Sequence, residues 1–203
     1  MKDYSSILIE QAVEQISRFP GIGKKTALRL SLWLLKQKPE IAEAIGKAII
    51  KLREDIKYCE ICHNISESNL CDICANPKRD TETICVVEDT RDVISIENTK
   101  QFFGLYHVLG GIINPMEGVS PSDIRLESLI NKVSESNIKE IVIALPTTVE
   151  GDTTSYYIYK QIREKVEKVT TIARGISVGD ELEYTDEITL GRSIINRIPY
   201  QAK

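Results

Sequence analysis

The chain has 203 residues, 42% hydrophobic and 28% charged, the composition of a folded protein with room for one or two ordinary domains and a small metal module. The opening MKDYSSILIEQAVEQ lacks the unbroken apolar region of a secretory signal. No stretch approaches the ~18 apolar residues that cross a bilayer, so we expect a cytosolic protein without a membrane partner. The net charge of −4 conceals an asymmetry: residues 1–58 carry eleven Lys and Arg against seven Asp and Glu, and the remainder is acidic. An acidic total does not exclude nucleic acid, because a local basic face is what counters phosphates.

In the front segment Ile9, Ala12, Val13 and Ile16 recur at helical spacing. So do Ala27, Leu30, Ser31 and Leu34, and then Ile41, Ile45, Ala48, Ile49, Leu52 and Ile56. Three amphipathic helices are expected. Phe19 to Gly23 closes the first, and Lys38-Pro39 separates the second from the third. The segment PGIGKKTALRL resembles the helix-hairpin-helix motif of proteins that bind DNA without sequence specificity. Gly21 and Gly23 are expected to supply positive φ for a tight turn, with Ile22 pinning it to the core. The free N–H groups and dipole at the next helix start form an anion site suited to a backbone phosphate, supplemented by Lys24, Lys25 and Arg29. The bland reading is a plain turn between two helices with solvated lysines.

Cys59, Cys62, Cys71 and Cys74 form two CxxC pairs with eight residues between them, in a chain of five cysteines. Four thiolates at that spacing suit one structural Zn²⁺ per chain in a closed tetrahedral shell. A redox CxxC needs only one pair, and a disulfide framework needs an oxidising compartment. His63 could replace a ligand, but four thiolates already fill the shell. Cys85, alternating with valines, reads as core.

From Thr83 onward, buried strands are expected at 83–87, 106–109, 141–145 and 169–173. Helices are expected near 90–100, 121–135 and 153–167, the middle one capped by Ser120 with Pro121 at its first position. Such alternation predicts a largely parallel sheet covered on both faces. Functional groups gather at the carboxyl ends of parallel strands. Glu88 follows one strand there, and Glu150 and Asp152 follow another, so the three carboxylates are candidate Mg²⁺ ligands. Asp152 could instead cap the helix that follows. The pattern of acids resembles the Toprim domain. His107, in a strand, reads as a packed or hydrogen-bonded residue, not a general base. Trp33 and the phenylalanines read as core anchors, and Tyr156, Tyr157 and Tyr159 as divided between helix faces.

Taken in order, FPGIGKKTALRL, the paired CxxC, CVVED, PTTVEGDTT and ARGISVGDELEYTDEITLGRS resemble the RecR family of bacterial recombination mediators over nearly the whole chain. Where that family commonly reads AsnProThrValGluGly, this chain has Pro146-Thr147-Thr148-Val149-Glu150-Gly151. Where ProValGlyGlyGluLeuGlu is usual, it has Ser177 to Glu183 with Asp180 in place of a glycine. The resemblance implies an α+β, multi-module protein: a helix-hairpin-helix module at 1–56, a C4-type zinc finger at 57–78, a Toprim domain at 79–175 and a C-terminal subunit-contact segment at 176–203. It further implies a cytoplasmic, nucleoid-associated, non-enzymatic protein, forming ring-like homotetramers on single-stranded, duplex or gapped DNA. Such proteins act with RecO and RecF at single-stranded gaps to help load RecA. Lys25 and Arg29 match the family's basic hairpin positions, and Glu88, Glu150 and Asp152 its acidic Toprim positions. The competing readings are a Mg²⁺-dependent Toprim nuclease or primase-like enzyme, and a zinc-stabilised adaptor. Under the mediator resemblance the cysteines are expected to act as a staple joining the helical module to the acidic domain.

Overall fold

The computed structural model describes residues 6–199, which divide after Ile56 into two compact units. The first unit contains three helices, α1 (Ile7–Ile16), α2 (Lys24–Leu34) and α3 (Pro39–Asp55). Helices α1 and α2 pack on one another around Val13, Ala27 and Ser31, whose hydroxyl donates to the Ala27 carbonyl at 2.9 Å. Helix α3 starts with Pro39 at its first turn, as a fixed φ favours, yet none of its residues is buried. Its apolar stripe, the expected core face, stays open, with Ile41 and Ile45 each 40% exposed and Leu52 63%. Trp33 and Phe19 are likewise about half exposed, at 48% and 50%, and not core anchors. Three short helices enclose too little volume to cover every apolar side chain they carry.

The second unit begins with a small antiparallel hairpin, β1 (Lys57–Tyr58) and β2 (Ile65–Ser66). It continues as a wholly parallel sheet of β3 (Asp80–Val87), β4 (Gly104–Val108), β5 (Glu140–Ala144) and β6 (Lys168–Thr171), in the order β4-β3-β5-β6. The connecting helices are α4 (Thr90–Thr99), α5 (Leu126–Glu135) and α6 (Val149–Ile162), and α7 (Glu187–Ile195) follows the sheet.

Strand alternation sends Ile84, Val86, Ile141 and Ile143 to one face, where Leu129 and Val133 of α5 and Ile158 and Ile162 of α6 meet them. Cys85, Val87, Tyr106 and Val108 point to the other face, against Val93 and Ile96 of α4. Cys85 is therefore core, and burial pushes its thiol up to about 12. Each such side chain removed from water contributes roughly 1.5–3 kcal/mol before the entropy of ordering is counted. Phe102 packs in this second cluster, whereas Phe103 is 66% exposed.

Two helix boundaries differ from expectation. Helix α5 starts at Leu126, because Ile124 and Leu126, two residues apart, are both buried and a helix cannot turn both inward. Ser120 instead closes a local turn, its backbone N–H donating to the Asp123 carboxylate at 2.8 Å. Helix α6 starts four residues earlier than expected and is capped by Thr148, whose Oγ1 accepts from the Gly151 N–H at 3.1 Å. Asp152 thus lies inside the first turn and is not the cap. Tyr156, Tyr157 and Tyr159 all remain exposed, flanking buried Ile158, so they do not divide between an inner and an outer face.

Candidate nucleic-acid interface and metal centre

The hairpin between α1 and α2 is a tight turn in which the Ile22 N–H bonds the Phe19 carbonyl at 3.0 Å. Pro20 presets the second position, and Gly21 occupies the third with φ +78°, the conformation of a type II turn that L side chains resist. Gly23 differs from expectation: its φ is −81°, so it serves as the N-cap of α2 in extended backbone, not as a second left-handed residue. It brings no side-chain oxygen to the first turn. Ala27 is the first residue of α2 whose N–H finds a carbonyl, that of Gly23 at 3.0 Å. The N–H groups of Lys24, Lys25 and Thr26 have no acceptor among the described residues.

Lys24, Lys25 and Arg29 are exposed, and none pairs with a carboxylate among the described residues. Lys25 and Arg29, four residues apart, share a helix face. Cations at a helix N-terminus oppose its dipole unless an anion sits there. The structure therefore brings together open amides and unpaired charges that complement a phosphodiester.

The four cysteines also converge. Their sulfurs lie within 4.8 Å of one another, Cys62 and Cys71 at 3.5 Å, and Cys59, Cys62 and Cys71 are buried. Zn–S bonds of ~2.3 Å place tetrahedral sulfurs ~3.8 Å apart, so the donor set fits one zinc ion in number, softness and spacing. The hydrogen bond with Cys74 draws Cys62 down to about 5 and pushes Cys74 up, and burial pushes Cys71 up to about 11.

His63 is not part of the shell. It takes a left-handed φ of +62° directly after Cys62, and its Nε2 pairs with Ser128 Oγ at 2.7 Å. Its ring meets His107 edge-on at 5.2 Å. His107 is fully buried, with Nε2 2.7 Å from the Arg125 carbonyl oxygen, and burial pulls it down to about 3. It is a packed, neutral residue, not a base. The knuckle is fixed to the α/β domain by the Val108 N–H, which donates to the Cys62 carbonyl at 2.8 Å, and by Lys132 Nζ, which donates to the Ile61 carbonyl at 2.5 Å. Nothing in the cysteine spacing announces these contacts, since their partners lie tens of residues away.

The Toprim acids are dispersed by comparison. Strands β3 and β5 are neighbours, with Val87 opposite Ala144, so Glu88 and the start of α6 emerge at the same end of the sheet. Glu88 borders a hollow of about 390 Å³ with Gly110, Gly111, Glu117 and Asp123. Burial raises its carboxyl above the ordinary range, and Asp92 and Asp89 add to that. Asp152 instead faces Arg174, which donates to it at 2.7 Å and holds it below the ordinary carboxylate range. Glu150 lies in the first turn of α6. Among the described residues, the cysteines are the only group of three or more candidate ligands drawn close enough to hold one ion.

An uncapped helical hairpin, a four-cysteine zinc module and a parallel Toprim-type sheet, in that order, define a zinc-stabilised helix-hairpin-helix Toprim protein. Comparison with known families agrees segment by segment. Residues 9–52 match the RecR helix-hairpin-helix, 56–76 the RecR four-cysteine zinc finger domain, 82–173 the Toprim domain and 175–198 the RecR C-terminal region. The protein described as recombination protein RecR in Bacteroides thetaiotaomicron is 59% identical over 97% of this chain and 96% of its own length. That of Flavobacterium johnsoniae is 59% identical over 98% and 97%, and that of Amoebophilus asiaticus 57% over 97% and 98%. This chain belongs to the RecR family, and its zinc is structural.

Proposed function

We propose that this chain is a DNA-binding mediator of recombinational repair and not an enzyme. The observation that carries the reading is the hairpin at α2, where backbone amides without an acceptor among the described residues sit beside Lys25 and Arg29, which pair with no described carboxylate, in a chain of the RecR family. In this reading residues 1–56 meet DNA, 57–78 hold zinc, 79–175 form the Toprim domain and 176–203 join subunits. Exposed apolar side chains support self-association: Leu8, Leu35 and Leu52 in the first unit, and Leu182, Ile188 and Ile195 toward the other end, are each at least 61% exposed. A ring-like homotetramer around DNA would repeat the modest basic patch and multiply its phosphate contacts.

The acidic Toprim domain, ill suited to phosphate, is the face proposed for RecO and RecF. The assembly would act on the nucleoid in the cytoplasm, at single-stranded gaps in DNA coated by single-strand-binding protein. Mg²⁺ at Glu88, Glu150 and Asp152 would require substrate phosphates to complete its shell. The decisive experiment is RecA loading onto coated gapped DNA in the presence of RecO. Wild-type protein should accelerate it and Lys25→Glu/Arg29→Glu should not, and equal acceleration by both would refute the reading. Metal-dependent DNA cleavage abolished by Glu88→Ala would favour the nuclease instead.

A further inference from the structure

Three side chains on one stripe at and within α5 grip the zinc knuckle. Arg125, Ser128 and Lys132 are spaced i, i+3 and i+7, which puts them on a common face. Each takes a different partner among residues 58–63. The Arg125 guanidinium lies over the Tyr58 ring, 5.1 Å from its centroid. Ser128 holds the imidazole of His63, and Lys132 holds the carbonyl of Ile61, between the two cysteines of the first CxxC. With Val108 on the next carbonyl, both successive carbonyls of that knuckle are spoken for by the α/β domain. The second pair differs: the Cys71 and Ile73 carbonyls are taken by Ala75 and Asn76 of their own turn.

A zinc ion with four thiolates has a net charge of −2, and a buried charge is costly without compensation. Burial draws the half-buried Lys132 ammonium below its ordinary value, and the four cysteines act against that by favouring its charge. Groups beyond the ligands commonly tune metal retention. We propose that Lys132, assisted by Ser128 and Arg125, forms the outer sphere of the zinc site. As positioning residues they hold the first knuckle in place, with Lys132 supplying the charge that offsets the thiolates, so zinc retention depends on a helix of the Toprim domain. By the same linkage, zinc holds the start of α5 in place.

The test uses the zinc-loaded full chain and follows transfer of zinc to a chromogenic chelator under native conditions. Lys132→Met keeps the aliphatic stem and removes charge and donor, whereas Lys132→Arg keeps both. Release should be about 10-fold faster from Lys132→Met, somewhat faster from Ser128→Ala, and near the wild-type rate from Lys132→Arg. Urea unfolding of the zinc-free proteins should place Lys132→Met and wild type together, because the role is exerted through the ion. Wild-type release from Lys132→Met, no rescue by arginine, or a zinc-free stability loss as large as the zinc-bound one would overturn the inference. The readout is zinc and not DNA, so its failure leaves the mediator reading standing, and the reverse holds too.

Discussion

At the scale of single residues, two positions carry consequences out of proportion to their size. Gly151 opens α6 so close to the preceding loop that a Cβ there would lie 2.0 Å from the Pro146 carbonyl oxygen. Backbone blocks backbone, so no side-chain adjustment relieves the clash. Gly151→Ala should lower stability by about 3 kcal/mol, read as a shift in urea midpoint, and an unchanged midpoint would show that the loop yields. In the same segment, where this chain's proline is shifted, Thr148 supplies the cap of α6. At the metal, Cys62→Ala removes both a ligand and the best-connected member of the buried thiol cluster. Zinc content should fall well below one per chain and thermal stability should drop with it, whereas full zinc content with unchanged melting would contradict a four-thiolate site.

At the scale of elements, the link between the end of the zinc module and the sheet is Arg79. Its guanidinium pairs with both oxygens of Glu97 on α4 and also donates to the Phe102 carbonyl at 3.2 Å, while the Tyr106 hydroxyl donates to Glu97 at 2.7 Å. Arg79 holds the Glu97 carboxyl below its ordinary value. A depressed carboxylate contributes stability above the unfolded-state value, about 4.3, and loses it as pH falls through the folded one. Glu97→Gln should therefore cost about 2 kcal/mol near neutrality and show a shallower loss of stability on acidification than wild type below about pH 5. Parallel slopes in pH-dependent urea unfolding would rule the pair out as a contributor.

The strands and most helices were legible because β-branched runs and 3.6-residue spacing are local signals. The start of α5 was not, because Ser120, Pro121 and Asp123 form a sound cap pattern that burial of both Ile124 and Leu126 overrides. Likewise the CxxC pairs announced the metal, but Lys132, Ser128 and Val108, which seat it, are brought near only by the tertiary fold. A GxG pattern does not reveal which glycine turns left-handed, and here it is Gly21 alone, with Gly23 extended. Strand order puts Glu88 and the start of α6 at one end of the sheet, whereas the pairing of Asp152 with Arg174 depends on chain beyond β6.

At the scale of the whole molecule, exposed Trp33, the open stripe of α3 and the apolar side chains of residues 178–198 are the surfaces that the proposed self-association would cover. A ring assembled through such surfaces would convert a hairpin of three cations per chain into a continuous track for phosphates. No described helix is long and apolar enough to cross a membrane. In the proposed function Lys25 and Arg29 at the uncapped start of α2 bind DNA within an oligomer. The most direct measurement is the affinity for gapped DNA by fluorescence anisotropy across a salt series, for wild type and Lys25→Glu/Arg29→Glu at matched solution mass. Wild type should weaken steeply with salt, with a log–log slope of several units, and the variant should bind at least about 10-fold more weakly with a flatter slope. Equal affinity and equal slope for the two proteins would contradict the account.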